Sequence, residues 1–457
     1  MNRVLALAAS ALALVAAPVA AQDVAITGAT VALGDGSEPV ENATVVVRGG
    51  RVVAAGAGVA VPDGVPVLDG SGTWVTPGLF ASMTQLGIYD VEAVDESNDV
   101  SASGSPFNAA LDVAPVINPN SQDVLISRAG GVTRASVAPS AGASIFGGRG
   151  AVINTGVGYD PVVSPRAFQV VELGERGARL AGGSRTSVHA LLRNALREAS
   201  NYGVDAALTG RSERNPVRTG DDLPIDPRLT GRAERDADVL LTRFDAAALV
   251  PVVNGQQKLY VKVERASDIL SAIALKDEFP DLDMVLVGAT EGWLVADRIA
   301  AAGVPVIAAA LRDLPASFEQ LAATQSNLGR LVDAGVSVAI GLYDSSGDHP
   351  RNLPQQAGNM VALNGVPGAT GMSWGEAFAA ITSVPAAIAG MESRAGVLAQ
   401  GAHGDLVVWD GDPLELSSAP VRVYIDGVEQ PLENHQTRLR DRYRTLDESE
   451  LPRAYER

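Results

Sequence analysis

The chain has 457 residues, no cysteine, a formal net charge of −18, and 46% hydrophobic but only 4% aromatic residues. Without cysteine there is no disulfide, thiolate metal ligand or cysteine nucleophile. The acidic balance argues against nucleic acid and anionic membranes as partners, and the length suits one large α/β domain with an accessory lobe.

Residues 1–21, MNRVLALAASALALVAAPVAA, carry Arg3, an Ala- and Leu-rich run, and small residues before a cut after Ala21. That is the pattern of a secretory signal peptide. The run is short and broken by Pro18, so no membrane insertion is expected once it is removed. A large domain that folds without disulfides suits a periplasmic or secreted location in a bacterium.

Residues 22–76 read as short alternating strands, such as AITGATVAL and ATVVVRGGRVVAAGA, cut by Gly, Asp and Pro turns. The same texture returns over 393–430, in GDLVVWDGDPLE and PVRVYIDGVEQ. The two ends together predict a small β-sandwich. Between them, 77–392 alternates Val- and Ile-rich runs (GGVTRASVAP, KLYVKVER, DMVLVGATEG, GVPVIAAAL, GVSVAIGL) with helical patterns. Buried strands alternating with helices predict a parallel sheet, here an α/β barrel of the (β/α)8 TIM type. FGGRG, Phe146 to Gly150, lacks GK[ST] and reads as the loop after the second barrel strand. Residues 101–121 and 212–236 read as long loops, solvated insertions more than lids. Ser373 with Glu376 three residues on is a capping box, and 431–457 is a charged tail.

Taken in order, GGRVVAAGAG, TPGL, AGGVTRASVAPSAGASIFGGRGAVI, ERASDI, VPVI and SVPAAIAGMESRAGVLAQGAHGDLVVWDGDPLE resemble the amidohydrolase superfamily, in its imidazolonepropionase and dihydroorotase-like branch. The resemblance covers nearly the whole chain after the leader. It implies a hydrolase of C–N bonds. One or two divalent metals at the C-terminal ends of barrel strands would activate a water, held by imidazole and carboxylate ligands.

The chain departs from that pattern at the ligands. The frame GLxxxHxHLG is kept from Pro77 to Gly87, but its two His positions are Met83 and Gln85. As i and i+2 on a strand, both are expected to face the mouth. A thioether and a neutral amide are poor ligands for Zn²⁺ or Mn²⁺. The next ligand position is Lys262, whose ammonium repels a cation, and the one after it is Gly288. Asp344 lies at or next to the family's catalytic Asp. Of the four histidines, His189 sits in a helical pattern, His403 in the closing sandwich and His435 in the tail; His349 alone is expected at the mouth.

No SxxK or HExxH motif offers another nucleophile or metal site. Candidate catalytic residues are therefore Asp344, Lys262 and His349, with Glu264 and Glu291 as substrate-binding candidates and Asp348 near them. Lys262 is read as a buried ion pair with an acidic neighbour in the space of a metal. No cofactor is expected. The leading reading is a degenerate amidohydrolase, a pseudoenzyme that binds a ligand or a partner, either a related chain that keeps the ligands or a second copy. The alternatives are an active hydrolase of cyclic or non-peptide amides, with a single Zn²⁺ or Mn²⁺ on Asp344, His349 and Glu264 or Glu291, and a structural envelope protein with no small-molecule site.

Overall fold

Alternating runs at the two ends of the chain and near-continuous apolar runs between them give two separate eight-stranded sheets. A computed structural model describes residues 21–91, 94–208, 239–341 and 349–444. The first sheet takes β1 (Val24–Val31), β2 (Val40–Arg48), β3 (Arg51–Gly56), β4 (Val67–Asp69) and β5 (Trp74–Pro77) from the N-terminal part. The second contains β6 (Leu79–Thr84), β7 (Val132–Val137), β8 (Phe146–Asn154), β9 (Val162–Glu172), β10 (Lys258–Val263), β11 (Met284–Gly288), β12 (Val306–Ala308) and β13 (Val338–Ile340). Then β14 (Leu406–Trp409), β15 (Pro420–Ile425) and β16 (Val428–Glu429) return to the first.

In that first sheet the order is β16-β15-β14-β5-β1-β2-β3, with β4 also on β1. Ile26, Val45 and Val47 from one end of the chain share a buried core with Leu406, Val408 and Tyr424 from the other. The seam is further tied by Trp409, whose Nε1 donates to Thr76 Oγ1 at 3.0 Å. The accessory unit expected from the termini is thus built from both ends, through one continuous hydrogen-bonded sheet.

The second sheet runs β13 through β6 in sequence, and a parallel bridge from Ser82 to Gly341 brings its two edges together as a nearly closed barrel. Neighbouring strands are parallel except at β8, which is antiparallel to both β7 and β9. FGGRG is therefore not a loop; it opens a barrel strand. The glycines explain how. A Cβ at Gly150 would overlap the ring of Phe168 on β9, and Gly148 takes φ 114°, which L side chains rarely adopt.

The 101–121 stretch is a packed cover rather than a solvated insertion. Arg149 on β8 holds it, its backbone N donating to Leu111 O at 2.8 Å and its Nη2 to Ala110 O at 2.5 Å. From the other side, Asp245 Oδ1 accepts from the Asn108 and Ala110 amides, each at 2.9 Å. The second loop, 212–236, lies outside the described residues. The capping box forms: Ser373 Oγ accepts from Glu376 N at 3.2 Å, and Glu376 Oε2 from Ser373 N at 2.8 Å. The helix it starts ends at Ala379, and a separate helix spans Ser383–Ile388.

The barrel meets the terminal sheet through a charge cluster centred on a buried ion pair, Arg134 with Asp405. Arg134 on β7 is 2% exposed. Its Nε donates to Asp405 Oδ2 at 2.6 Å and its Nη2 to Asp426 Oδ1 at 2.8 Å. His403 Nδ1 shares the Asp426 oxygen, and the Asp426 amide donates to Asp405 Oδ1 at 2.8 Å. Among the described residues no helix is long and apolar enough to cross a membrane.

Candidate functional site

Side chains that alternate along β9 and β10 fill the barrel from within. Phe168, Val170 and Tyr260 pack with Val285, Val287, Ile307 and Ala339. The Phe168 and Tyr260 rings stack with centroids 4.1 Å apart. Two residues further along each strand the same face carries Glu172 and Lys262, which are Cα partners in the register. Their side chains meet at 3.0 Å, Nζ to Oε1, with the Glu172 side chain 7% and the Lys262 side chain 26% exposed. Apolar packing thus gives way to an ion pair where the barrel opens.

Met83 is not in that mouth. Its backbone sits at φ 57°, and the β6–β7 register slips between Ala81 and Thr84. The bulge cancels the two-residue alternation that would set Met83 beside Gln85. Met83 instead joins the internal core with Tyr260, Val287 and Ile307. Gln85, beyond the end of β6, does line the mouth.

Gly288 ends β11 at φ 96°, and a Cβ there would overlap Glu264 Oε1. The missing side chain is what gives the Glu264 carboxyl its room. Glu264 Oε2 accepts from Thr290 N at 3.0 Å and from Thr290 Oγ1 at 2.6 Å. Burial pushes this carboxyl above the usual glutamate range, against the lowering effect of those two bonds. Glu319 is raised too, again chiefly by burial; its Oε2 accepts from Glu175 N at 2.7 Å and from Arg185 at 3.3 Å.

These groups surround a cavity of about 460 Å³. Glu172, Arg176, Lys262, Glu264, Arg312 and Glu319 give it three carboxylates and three cations. Gln85, Asn98, Ser101 and Ser140 add polar atoms, and Val100, Val263 and Val287 the apolar floor and wall. Arg176 approaches Glu172 at 3.6 Å and donates to Ala141 O at 2.7 Å.

Other expected site residues fall elsewhere. Glu291 is not on the cavity wall: its two oxygens accept from the Ala266 and Ala322 amides, each at 3.1 Å, so it fastens backbone. His349 also stays out of the cavity; its Nδ1 stands 3.8 Å from Asp123 Oδ1, at the start of the helix Gln122–Ala129. His189 sits on the helix Arg185–Leu208, where burial lowers its pKa. Asp344 and Asp348 lie outside the described residues. Sequence reasoning missed Glu172, Arg176, Arg312 and Glu319. Glu172 had one usable signal: an acid ending the apolar run FQVVE before a Gly turn.

The side chains at the expected ligand positions do not fit a divalent metal. One is a thioether sunk in the core, one an amide, one an ammonium already in an ion pair, and one has no side chain. Among the described residues, no group of three or more His, Asp or Glu is arranged to hold a metal ion.

Residues 278–434 match the family model described as "Amidohydrolase family". A curated relative, "Amidohydrolase tasK" of Hapsidospora irregularis, is 25% identical over 391 residues, which is 81% of this chain. The alignment spans only 38% of that relative's length. Among solved structures, an amidohydrolase from Thermotoga maritima MSB8 superposes with a TM-score of 0.75 at 24% identity, covering 89% of this chain and 99% of that one. A triazine hydrolase variant superposes at 0.51 with 16% identity, over 92% and 98% of the two chains.

Proposed function

We propose that this chain, whose residues 278–434 match the amidohydrolase family model, is a metal-free amidohydrolase derivative that binds a small molecule at the barrel mouth. The observation that carries this reading is the Glu172–Lys262 ion pair, 3.0 Å across, at the position where the family resemblance implies an imidazole ligand. Gly288 supports it from the next strand, because the space it leaves is taken by the Glu264 carboxyl. A cation entering there would face the Lys262 ammonium and would have to break a largely buried ion pair, and both oppose binding.

The chain works without resident Zn²⁺ or Mn²⁺, in the periplasm or outside the cell, alongside a ligand-retaining relative or a second copy of itself. Fold alone does not confer the family's hydrolysis, since activity resides in the site. Elemental mass spectrometry on protein purified after growth with added Zn²⁺ and Mn²⁺ tests the reading. Metal far below one per chain, with no turnover across a panel of cyclic and linear amides, is expected. One metal per chain, lost in Asp344→Ala, would overturn it and restore a metallohydrolase.

A further inference from the structure

The six charged residues of the cavity cancel formally, three against three, so its selectivity depends on which groups the protein leaves unsatisfied. Each carboxylate has protein donors. Glu172 faces Lys262 and Arg176, Glu264 accepts from Thr290, and Glu319 accepts from Glu175 N and Arg185. The cations are unequal. Lys262 and Arg176 are engaged by Glu172, whereas Arg312 is exposed and has no carboxylate within ion-pairing distance among the described residues. Among the described residues, Arg312 is therefore the mouth cation without a direct carboxylate partner; its charge reaches Glu264 only at longer range, in a chain whose net charge is −18.

A guanidinium presents two parallel N–H groups that match a planar carboxylate. A dianion such as phosphate would be repelled by the Glu172 carboxylate more strongly than a monoanion, and by Glu264 and Glu319 whenever they are charged. Gln85 and Ser140 supply polar atoms to the cavity, and Val100 and Val287 apolar ones. We propose that the mouth binds a small organic monocarboxylate, its carboxylate on Arg312 and its short, partly apolar body against Val100 and Val287. This rests on the metal-free reading of the same site.

The test is calorimetric titration of the full purified chain with butyrate, with butyramide as the neutral twin and inorganic phosphate as the competing anion. Butyrate is expected to bind with a Kd no weaker than roughly 10 mM. Butyramide and phosphate should each bind at least about tenfold more weakly, the scale of one lost charge-assisted contact. Arg312→Gln should cost a similar factor while leaving the thermal midpoint of the free protein in place, and Arg312→Lys should recover part of it. No heat from butyrate, equal binding of butyramide or phosphate, or unchanged binding in Arg312→Gln overturns the proposal. Metal content measured on the same sample separates the two failures. Metal-free protein that ignores butyrate defeats the ligand assignment alone, whereas stoichiometric metal defeats the reading beneath it.

Discussion

Two clusters of charged residues lie at different places in this molecule, and they treat the same chemistry in opposite ways. Where β7 meets the terminal sheet, Arg134 and Asp405 are each 2% exposed, and both are held by direct hydrogen bonds. At the mouth, Lys262 keeps 26% exposure, Arg312 has no carboxylate at ion-pairing distance among the described residues, and buried carboxyls are driven towards their neutral form. A cluster built on a buried, fully paired Arg134 and Asp405 fixes how parts fit together, even though Asp426 at its edge is 47% exposed. An open one with groups left over is where a ligand can be received.

The strongest way to break this contrast is Arg134→Met. It leaves Asp405 buried and charged without its partner, so a loss of about 3–5 kcal/mol is expected in urea unfolding. A loss under about 1 kcal/mol would mean the junction is not the rigid member of the pair. Gly288→Ala should cost roughly 2–3 kcal/mol, from a positive φ and the overlap with Glu264. Shortening the acid in a Gly288→Ala, Glu264→Ala double variant should return part of that cost; no recovery would show that backbone strain alone is responsible. Lys262→Met should cost less, about 1–2 kcal/mol, because Arg176 remains 3.6 Å from Glu172.

A subtler probe is pH. Glu264 holds its proton more tightly in the folded chain than in the unfolded one. Its contribution is thus most favourable below the ordinary glutamate pKa and is lost as pH rises through the folded value. The stability of the wild-type chain relative to Glu264→Gln should therefore fall as pH climbs from acid towards neutral. A difference that stays flat, or grows, would remove the desolvated carboxyl from the description. The smallest effect belongs to His349→Ala. With 38% exposure and an Asp123 contact at 3.8 Å, it should stay within about 0.5 kcal/mol, and its metal content should not change.

The barrel and the accessory sheet could be read in the sequence because buried strands leave continuous apolar runs and half-buried ones leave alternation. β10, β11, β12 and β13 each fall inside such a run. β9 was hidden, since its first half, VVSPR, is partly exposed and interrupted by Ser164 and Pro165, and with it went Glu172. The family frame marks Met83 and Gln85 as a pair, but strand alternation alone cannot reveal a bulge. One residue with φ 57° sends the two side chains to different places. Lys262 showed itself as one of three lysines in the chain, yet its partner comes from another strand, 90 positions away. Arg312 and Glu319 sit in a connection without periodicity, where only the folded chain brings them to the mouth.

The antiparallel course of β8 also bears on how the chain reaches its native state. β7, β8 and β9 form a meander joined by short turns, so this third of the wall closes through neighbours in sequence. The pairing of β9 with β10 must instead wait for the long stretch between Glu172 and Lys258 to be gathered in. Loop-closure entropy makes local pairings fast and distant ones slow. Assembly should then run at two speeds, with amide protection appearing first across 132–172 and only later along Lys258–Val263. The floor under Glu172 would already be in place when Lys262 arrives to meet it.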